Sequence, residues 1–155
     1  MNTYDVLVVG GGAAGLMAAG AALERGLSVC LFDKNRQLGR KVRITGKGRC
    51  NVTNNCPAEE VVAACPRGGK FLYGALSAFS PQDTMAFFEG LGVHLKTERG
   101  RRVFPVSDNA HDIAGALERY AAGATVIREA VTAVLVEKGR AVGCLLYTSP
   151  SPRDS

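Results

Sequence analysis

The chain has 155 residues, 46% of them apolar and 21% charged, with 19 Gly, 5 Cys and no Trp. That length suits one domain, the apolar share lies at the globular average and excludes a disordered chain, and no run approaches the ~18 consecutive apolar residues of a membrane span. The formal charge of +5 points to an anionic partner without naming it.

Asn2, Thr3, Tyr4 and Asp5 at the N-terminus lack the basic flank and apolar run of a signal peptide. A cytoplasmic, reducing location is therefore expected, with Cys30, Cys50, Cys56 and Cys65 as free thiols. Tyr4 to Val9 is a β-branched and aliphatic run that stops at three glycines, as a buried parallel strand would. Gly12 to Glu24, rich in Ala and Leu, reads as a helix ended by Gly26. Leu27 to Phe32 is a second buried strand with Asp33 at its end. Together they predict one right-handed βαβ unit and an α/β fold. Asn35 to Asn55 has no apolar period and is dense in Gly, Lys and Arg, the mark of a functional connection.

Short helices are expected at Ala58–Ala64 and Lys70–Phe79. Ser80-Pro81-Gln82-Asp83 opens a clearer helix running to Gly90, with Ser as N-cap, Pro at the first helical position and an acid in the first turn. Val93–Thr97 and Arg102–Phe104 are candidate strands joined at Gly100. Asn109–Ala122 is amphipathic, with Ile113, Leu117 and Tyr120 on one face. Thr125–Ile127 and Val131–Glu137 are expected strands, and Gly139 turns the latter toward Ala141.

From Cys144 to Ser155 two Ser-Pro dipeptides interrupt a segment with neither helical nor strand period. It resembles the in-frame translation of a transposase sequencing adapter, the alternative being a natural Pro/Ser-rich tail. We expect residues 144–155 to be non-native, and residues 1–143 to be the N-terminal part of a longer gene product, with an incomplete parallel sheet and an exposed edge.

Gly10-Gly11-Gly12-Ala13-Ala14-Gly15 is a G-x-G-x-x-G after a strand and before a helix, the context in which it binds a dinucleotide. Gly10 allows the tight turn, Gly12 lets the main chain approach a pyrophosphate, and Gly15 lets helix and strand pack closely. The free N–H groups and positive dipole end of the helix then meet the phosphates. Asp33 is placed to accept ribose hydroxyls and would repel a 2′-phosphate, which disfavours NADP. Gly39, six residues after Asp33, matches the acid-x5-Gly spacing that resembles FAD-binding flavoproteins more than dehydrogenases.

Seven cations lie between Lys34 and Arg49: Lys34, Arg36, Arg40, Lys41, Arg43, Lys47 and Arg49. They could hold a nucleic-acid backbone, neutralise a cofactor pyrophosphate, or form a solvated loop. The interleaved Thr45-Gly46-Lys47-Gly48 favours a tight turn around an anion, and it is not a Walker loop, since Gly48 follows Lys47.

Ile44-Thr45-Gly46-Lys47-Gly48-Arg49-Cys50-Asn51-Val52-Thr53-Asn54 resembles the signature loop of the BaiN and aminoacetone-oxidase-like flavoproteins, bacterial NAD(P)/FAD-dependent oxidoreductases. Gly69–Tyr73, Leu76–Ser80, Phe87–Val93 and Arg102–Asp108 agree with it. The resemblance implies a Rossmann-like FAD/NAD(P)-binding fold holding FAD. Gly10, Gly12, Ala13, Ala14 and Gly15 would meet the pyrophosphate, Asp33 the ribose and Lys34 the edge of the adenine pocket. Lys41 would add charge, Gly48, Arg49 and Asn51 would line the path to the flavin, and main-chain atoms near Val131 would contact the adenine. Asp33 departs from the family's more usual Glu. The family's second glycine motif, inserted domain and C-terminal flavin-binding segment would all lie past Gly143.

The implied function is flavin-dependent oxidation or reduction of a small organic substrate, with NAD(P)H a candidate electron donor and neither nucleic acid nor membrane as partner. An NAD-dependent dehydrogenase and a basic nucleic-acid-binding module are the alternatives, the latter lacking aromatic interleaving. Cys50, Cys56 and Cys65 match no zinc spacing, so no metal is expected. Cys50 is weighed as a thiol near the flavin. His94 and His111 read as structural, Phe71, Phe79, Phe87 and Phe88 as core, and Arg99, Arg101 and Arg102 as a solvated tip.

Overall fold

A computed structural model describes residues 3–147. In chain order its elements begin with β1 (Val6–Val9), α1 (Ala13–Glu24), β2 (Val29–Phe32), α2 (Arg40–Ile44), β3 (Thr53–Asn54), α3 (Ala58–Ala64), α4 (Tyr73–Ala78) and α5 (Pro81–Gly90). They continue with β4 (Leu95–Glu98), β5 (Arg102–Pro105), α6 (Ala110–Tyr120), β6 (Thr125–Ile127), β7 (Val131–Glu137) and β8 (Arg140–Leu146). The chain divides into two compact units, one of residues up to Arg40 together with those from Leu117 onward, the other Lys41–Ala116.

The first unit is built on a parallel sheet of order β1-β2-β6. Its central strand, Val-Cys-Leu-Phe, is buried at all four positions, as a strand covered on both faces must be. Helix α1 buries Leu16, Ala19 and Gly20. The close approach there requires glycine, because a Cβ on Gly20 would lie 2.1 Å from the Tyr120 ring. The Tyr120 hydroxyl donates to Glu24 at 2.8 Å, and burial, with that carboxylate, pushes its pKa up to about 12. Among the described residues β1 pairs with β2 alone, and Leu7 and Val9 on it are exposed. The β1 side of the described sheet is thus open.

Strands β7 and β8 form a separate antiparallel hairpin. Lys138 (φ 49°) and Gly139 (φ 77°) both take positive φ at its turn, the geometry that matches strand twist in two-residue hairpins. The expectation that no element extends past Gly143 is corrected here. Cys144, Leu145 and Leu146 pair with Val134, Ala133 and Val131, because an antiparallel ladder is made by main-chain groups and Cys-Leu-Leu offers no proline to stop it. The rest of the predicted tail, residues 148–155, lies outside the described residues.

The second unit holds the antiparallel sheet β3-β5-β4 with Val103, Phe104, Phe88, Val93, Ile113 and Ala114 in its core. The start of α5 is as expected. The Ser80 hydroxyl accepts from the Asp83 N–H at 3.1 Å, and the Asp83 carboxylate accepts from the Ser80 N–H at 2.8 Å. This is a complete capping box behind Pro81.

Two expectations need correction. The stretch 35–55 carries α2, a 3₁₀ turn at Thr45–Gly48 and β3, all too short to leave a period in the sequence. Lys70–Phe79 is a 3₁₀ turn (Gly69–Leu72) followed by α4. The change of pitch breaks the phase of its side chains: Phe71 is 90% exposed and Phe79 37% exposed, so neither is core. Phe79 instead packs edge-on against Phe87 at 5.9 Å, which in turn meets buried Phe88.

Candidate functional site

Strand β1 ends at Val9 and the chain turns at Gly10 with φ 102°, its N–H bonded to the Phe32 carbonyl at 2.8 Å. Helix α1 then starts so close to this turn that a Cβ on Gly15 would sit 1.8 Å from the Gly10 carbonyl oxygen. Gly12 is the extended N-cap and carries no side chain to close the helix end. The Leu16 N–H to Gly12 carbonyl bond, 2.9 Å, is the first of the helix. The N–H groups of Ala13, Ala14 and Gly15 therefore have no helical acceptor, and Ala13 and Ala14 are exposed.

Gly11, a free position in the motif, is itself constrained here. Its N–H donates to Asp33 Oδ2 at 2.7 Å, its carbonyl accepts from the Gly39 N–H at 2.7 Å, and a Cβ would lie 2.3 Å from Leu38 Cδ2. Gly39 itself has φ 63°. The acid-x5-Gly spacing thus has a physical origin. It returns the chain from β2 so that buried Leu38 covers the glycine loop and Gly39 ties to it.

Asp33 stands at the C-terminal end of β2, its own N–H held by the Ile127 carbonyl at 3.1 Å. Its Oδ1 accepts from the Asn35 N–H (2.7 Å) and Nδ2 (2.8 Å). Arg128, just past β6, donates to the Asn35 carbonyl at 3.1 Å. Desolvation raises the Asp33 pKa, but the bonds from Asn35 and Gly11, together with the Arg128 charge, outweigh it and hold the carboxyl below its ordinary value. The group is an anion at neutral pH. A cleft of about 330 Å³ opens beside it, lined by Val9, Gly10, Asp33, Lys34, Glu129 and Val131 among others, at the carboxyl ends of parallel strands where ligands of such sheets bind.

In the second unit, the Gly46-Lys47-Gly48 turn is left-handed at all three residues (φ 55°, 57° and 84°), and Cys50 follows at φ 58°. This turn presents Arg49, whose guanidinium donates to Glu98 (2.5 Å) and Asp108 (2.6 and 2.8 Å) and lies 4.2 Å over the Phe104 ring. Lys96 joins both carboxylates. The hydrogen bond from Arg49 holds Glu98 below its usual pKa, and those from Lys96 and Arg49 do the same for Asp108. Asn51, with its amide oriented to satisfy both ends, donates to the carbonyls of Thr53 and Val103. Burial pushes the Cys50 thiol up despite a bond with Thr45, the reverse of an activated thiolate. His111 Nδ1 meets Arg43 Nη1 at 2.7 Å. A guanidinium can only donate, so Nδ1 is the acceptor.

The expected site residues therefore fall into two sets. Gly10, Asp33, Lys34 and Val131 line one cleft, with Gly12, Ala13, Ala14 and Gly15 at the start of α1. Lys41, Gly48, Arg49 and Asn51 belong to the other unit. The sequence reading missed Asn35, Leu38, Arg128 and Glu129. Asn35, two residues past the acid, was the one with a readable signal, since Asx side chains bond locally. Among the described residues no group of three His, Cys, Asp or Glu could hold a metal, and no helix is long and apolar enough to cross a membrane.

Residues 4–146 match the family described as HI0933-like protein Rossmann domain. The 3-dehydro-bile acid delta(4,6)-reductase of Clostridium scindens is 36% identical over 115 residues, 72% of this chain and 27% of that protein. The ribosomal RNA dihydrouridine synthase of Escherichia coli is 33% identical over 99 residues, 63% of this chain and 24% of that protein. The chain thus spans about a quarter of the length of these relatives. Among solved structures, Mycobacterium smegmatis Sdh1 in complex with UQ1 superposes with a TM-score of 0.64 at 23% identity, covering 94% of this chain and 31% of that one. That likeness bears on the fold.

Proposed function

The chain belongs to the HI0933-like Rossmann-domain family, and from that premise we propose that it is the FAD-binding N-terminal portion of a flavin-dependent oxidoreductase. The observation that carries this reading is the meeting of an anionic Asp33 and the turn at Gly10 in one cleft, with the uncapped start of α1 two residues beyond that turn. This arrangement fits an adenosine diphosphate moiety: Asp33 offers a hydroxyl acceptor, the glycine turn a close main-chain approach and the start of α1 free N–H groups.

Asp33 would hold the ribose and Gly12, Ala13, Ala14 and Gly15 the pyrophosphate. Lys34 and Val131 would bound the adenine, and Gly48, Arg49, Asn51 and Lys41 would serve the distal part of the cofactor. Bound FAD supplies the hydride or electron transfer. This chain's residues bind and orient it, and the anionic carboxylate rejects a 2′-phosphate. The Gly-Lys-Gly-Arg-Cys-Asn loop and the Gly39 tie count against an NAD-dependent dehydrogenase.

Two relatives reported above are named as a 3-dehydro-bile acid delta(4,6)-reductase and a ribosomal RNA dihydrouridine synthase. That supports reduction of an unsaturated substrate, with NAD(P)H as donor, over oxidation. A second reading, in which the unsaturated ring belongs to RNA, is favoured by exposed Lys34, Arg36, Arg40, Lys41 and Lys47 in one stretch. It contradicts the small-molecule expectation. Steep salt dependence of RNA retention by the longer protein would decide for it. We place the protein in the cytoplasm, a reading that its free cysteines support.

The visible spectrum of the purified longer gene product tests the reading. Flavin absorbance with FAD, and not FMN, released on denaturation is expected. A colourless protein that takes up no added FAD overturns it.

A further inference from the structure

The Asp33 carboxylate is already partly spoken for. An ionised carboxylate offers about four acceptor positions, two on each oxygen. Oδ1 accepts from both the N–H and the Nδ2 of Asn35, at 2.7 and 2.8 Å, and is full. Oδ2 accepts from the Gly11 N–H at 2.7 Å and has one position left. Arg128 holds the arrangement from behind, since its Nη1 donates to the Asn35 carbonyl at 3.1 Å and so fixes the turn that aims both Asn35 donors.

We infer that Asn35 makes Asp33 a receptor for a single ribose hydroxyl, on Oδ2, with Arg128 as the positioning residue that keeps Oδ1 closed. The inference rests on the reading of Asp33 as the ribose ligand. Asn35 then sets specificity. One of the two vicinal hydroxyls of the nucleotide is recognised by a charged acceptor and the other is not.

Calorimetric titration of the chain with ADP, 2′-deoxy-ADP and 3′-deoxy-ADP tests this without any need for turnover. Loss of a hydrogen bond to a charged group costs about tenfold or more in affinity. One deoxy analogue is expected to weaken by that factor and the other to stay within about twofold of ADP. In Asn35→Ala, checked for folding by circular dichroism, Oδ1 regains a free position. The analogue that was indifferent should then also bind more weakly than ADP. Arg128→Ala should move the same way by a smaller factor.

If both analogues weaken alike in the unsubstituted protein, the ribose reading stands and this inference is overturned. An unchanged analogue pattern in Asn35→Ala overturns it equally. If neither analogue weakens, Asp33 is not the ribose ligand and both fall. If ADP does not bind at all, the cofactor reading falls and takes this inference with it.

Discussion

Two glycines of the loop, Gly11 and Gly15, meet different neighbours, and the difference predicts a rank order. An added methyl at Gly15 meets the Gly10 carbonyl, which is backbone and cannot yield. At Gly11 it meets the end of the Leu38 side chain, which can rotate. Gly15→Ala should therefore cost more stability than Gly11→Ala, at the upper end of or above the ~1–3 kcal/mol typical of overpacking. Urea unfolding of the two variants checks the order. The turn at Gly10 and the close packing at Gly15 were legible in the sequence because the motif encodes backbone needs. Gly11 and Leu38 were not, because their constraint comes from a chain segment that returns over the loop.

The Asp33 carboxyl, held below its ordinary pKa, also makes a pH prediction. A depressed folded-state pKa contributes stability that is fully present above the unfolded value, about 3.9 for Asp, and lost as pH falls through the folded value. The gap in unfolding midpoint between the unsubstituted chain and Asp33→Asn should be constant above about pH 5 and close at lower pH. A gap that widens on acidification would refute the assignment of charge.

At the scale of elements, α5 was readable to its first residue and the neighbouring segments were not. Its start is specified by Ser80, Pro81 and Asp83 acting within one turn, and local chemistry survives in a sequence. Ser80→Ala should destabilise the second unit by about 0.5–2 kcal/mol. Ser80→Asp, which keeps an acceptor, should recover most of it, as thermal unfolding of the two variants would show. By contrast, α2 and β3 are five and two residues long and owe their form to partners distant in sequence. Asn51 lies against the Val103 carbonyl and Arg49 is held between Glu98 and Asp108. The Lys70–Phe79 stretch shows the same limit, since a switch from 3₁₀ to α pitch at Leu72 leaves no mark in apolar spacing.

For the molecule as a whole, the parallel sheet with the Asp33 cleft and the antiparallel sheet with the Gly-Lys-Gly-Arg-Cys-Asn loop are separate units. The chain spans about a quarter of its curated relatives. The 155-residue chain is expected to show no flavin-dependent turnover with NAD(P)H and an unsaturated acceptor. Measurable turnover by the short chain would sink that expectation. The fold class, and the place of Gly10, Asp33 and Lys34 beside one cleft, were open to sequence reading, because a strand, a glycine turn, a helix and an acid lie close together near the start of the chain.

The hairpin of β7 and β8 bears on how such a protein can vary. Ala130 and Val131 line the cleft, and their places are kept by the Tyr147 N–H on the Ala130 carbonyl, 2.8 Å, and by the pairing of Val131 with Leu146. Both ties run through the peptide backbone and ask nothing of the side chains opposite. The far strand is thus an interchangeable stave. Any proline-free run of extended residues can stand in it, and the wall it braces keeps its shape while the sequence behind it drifts.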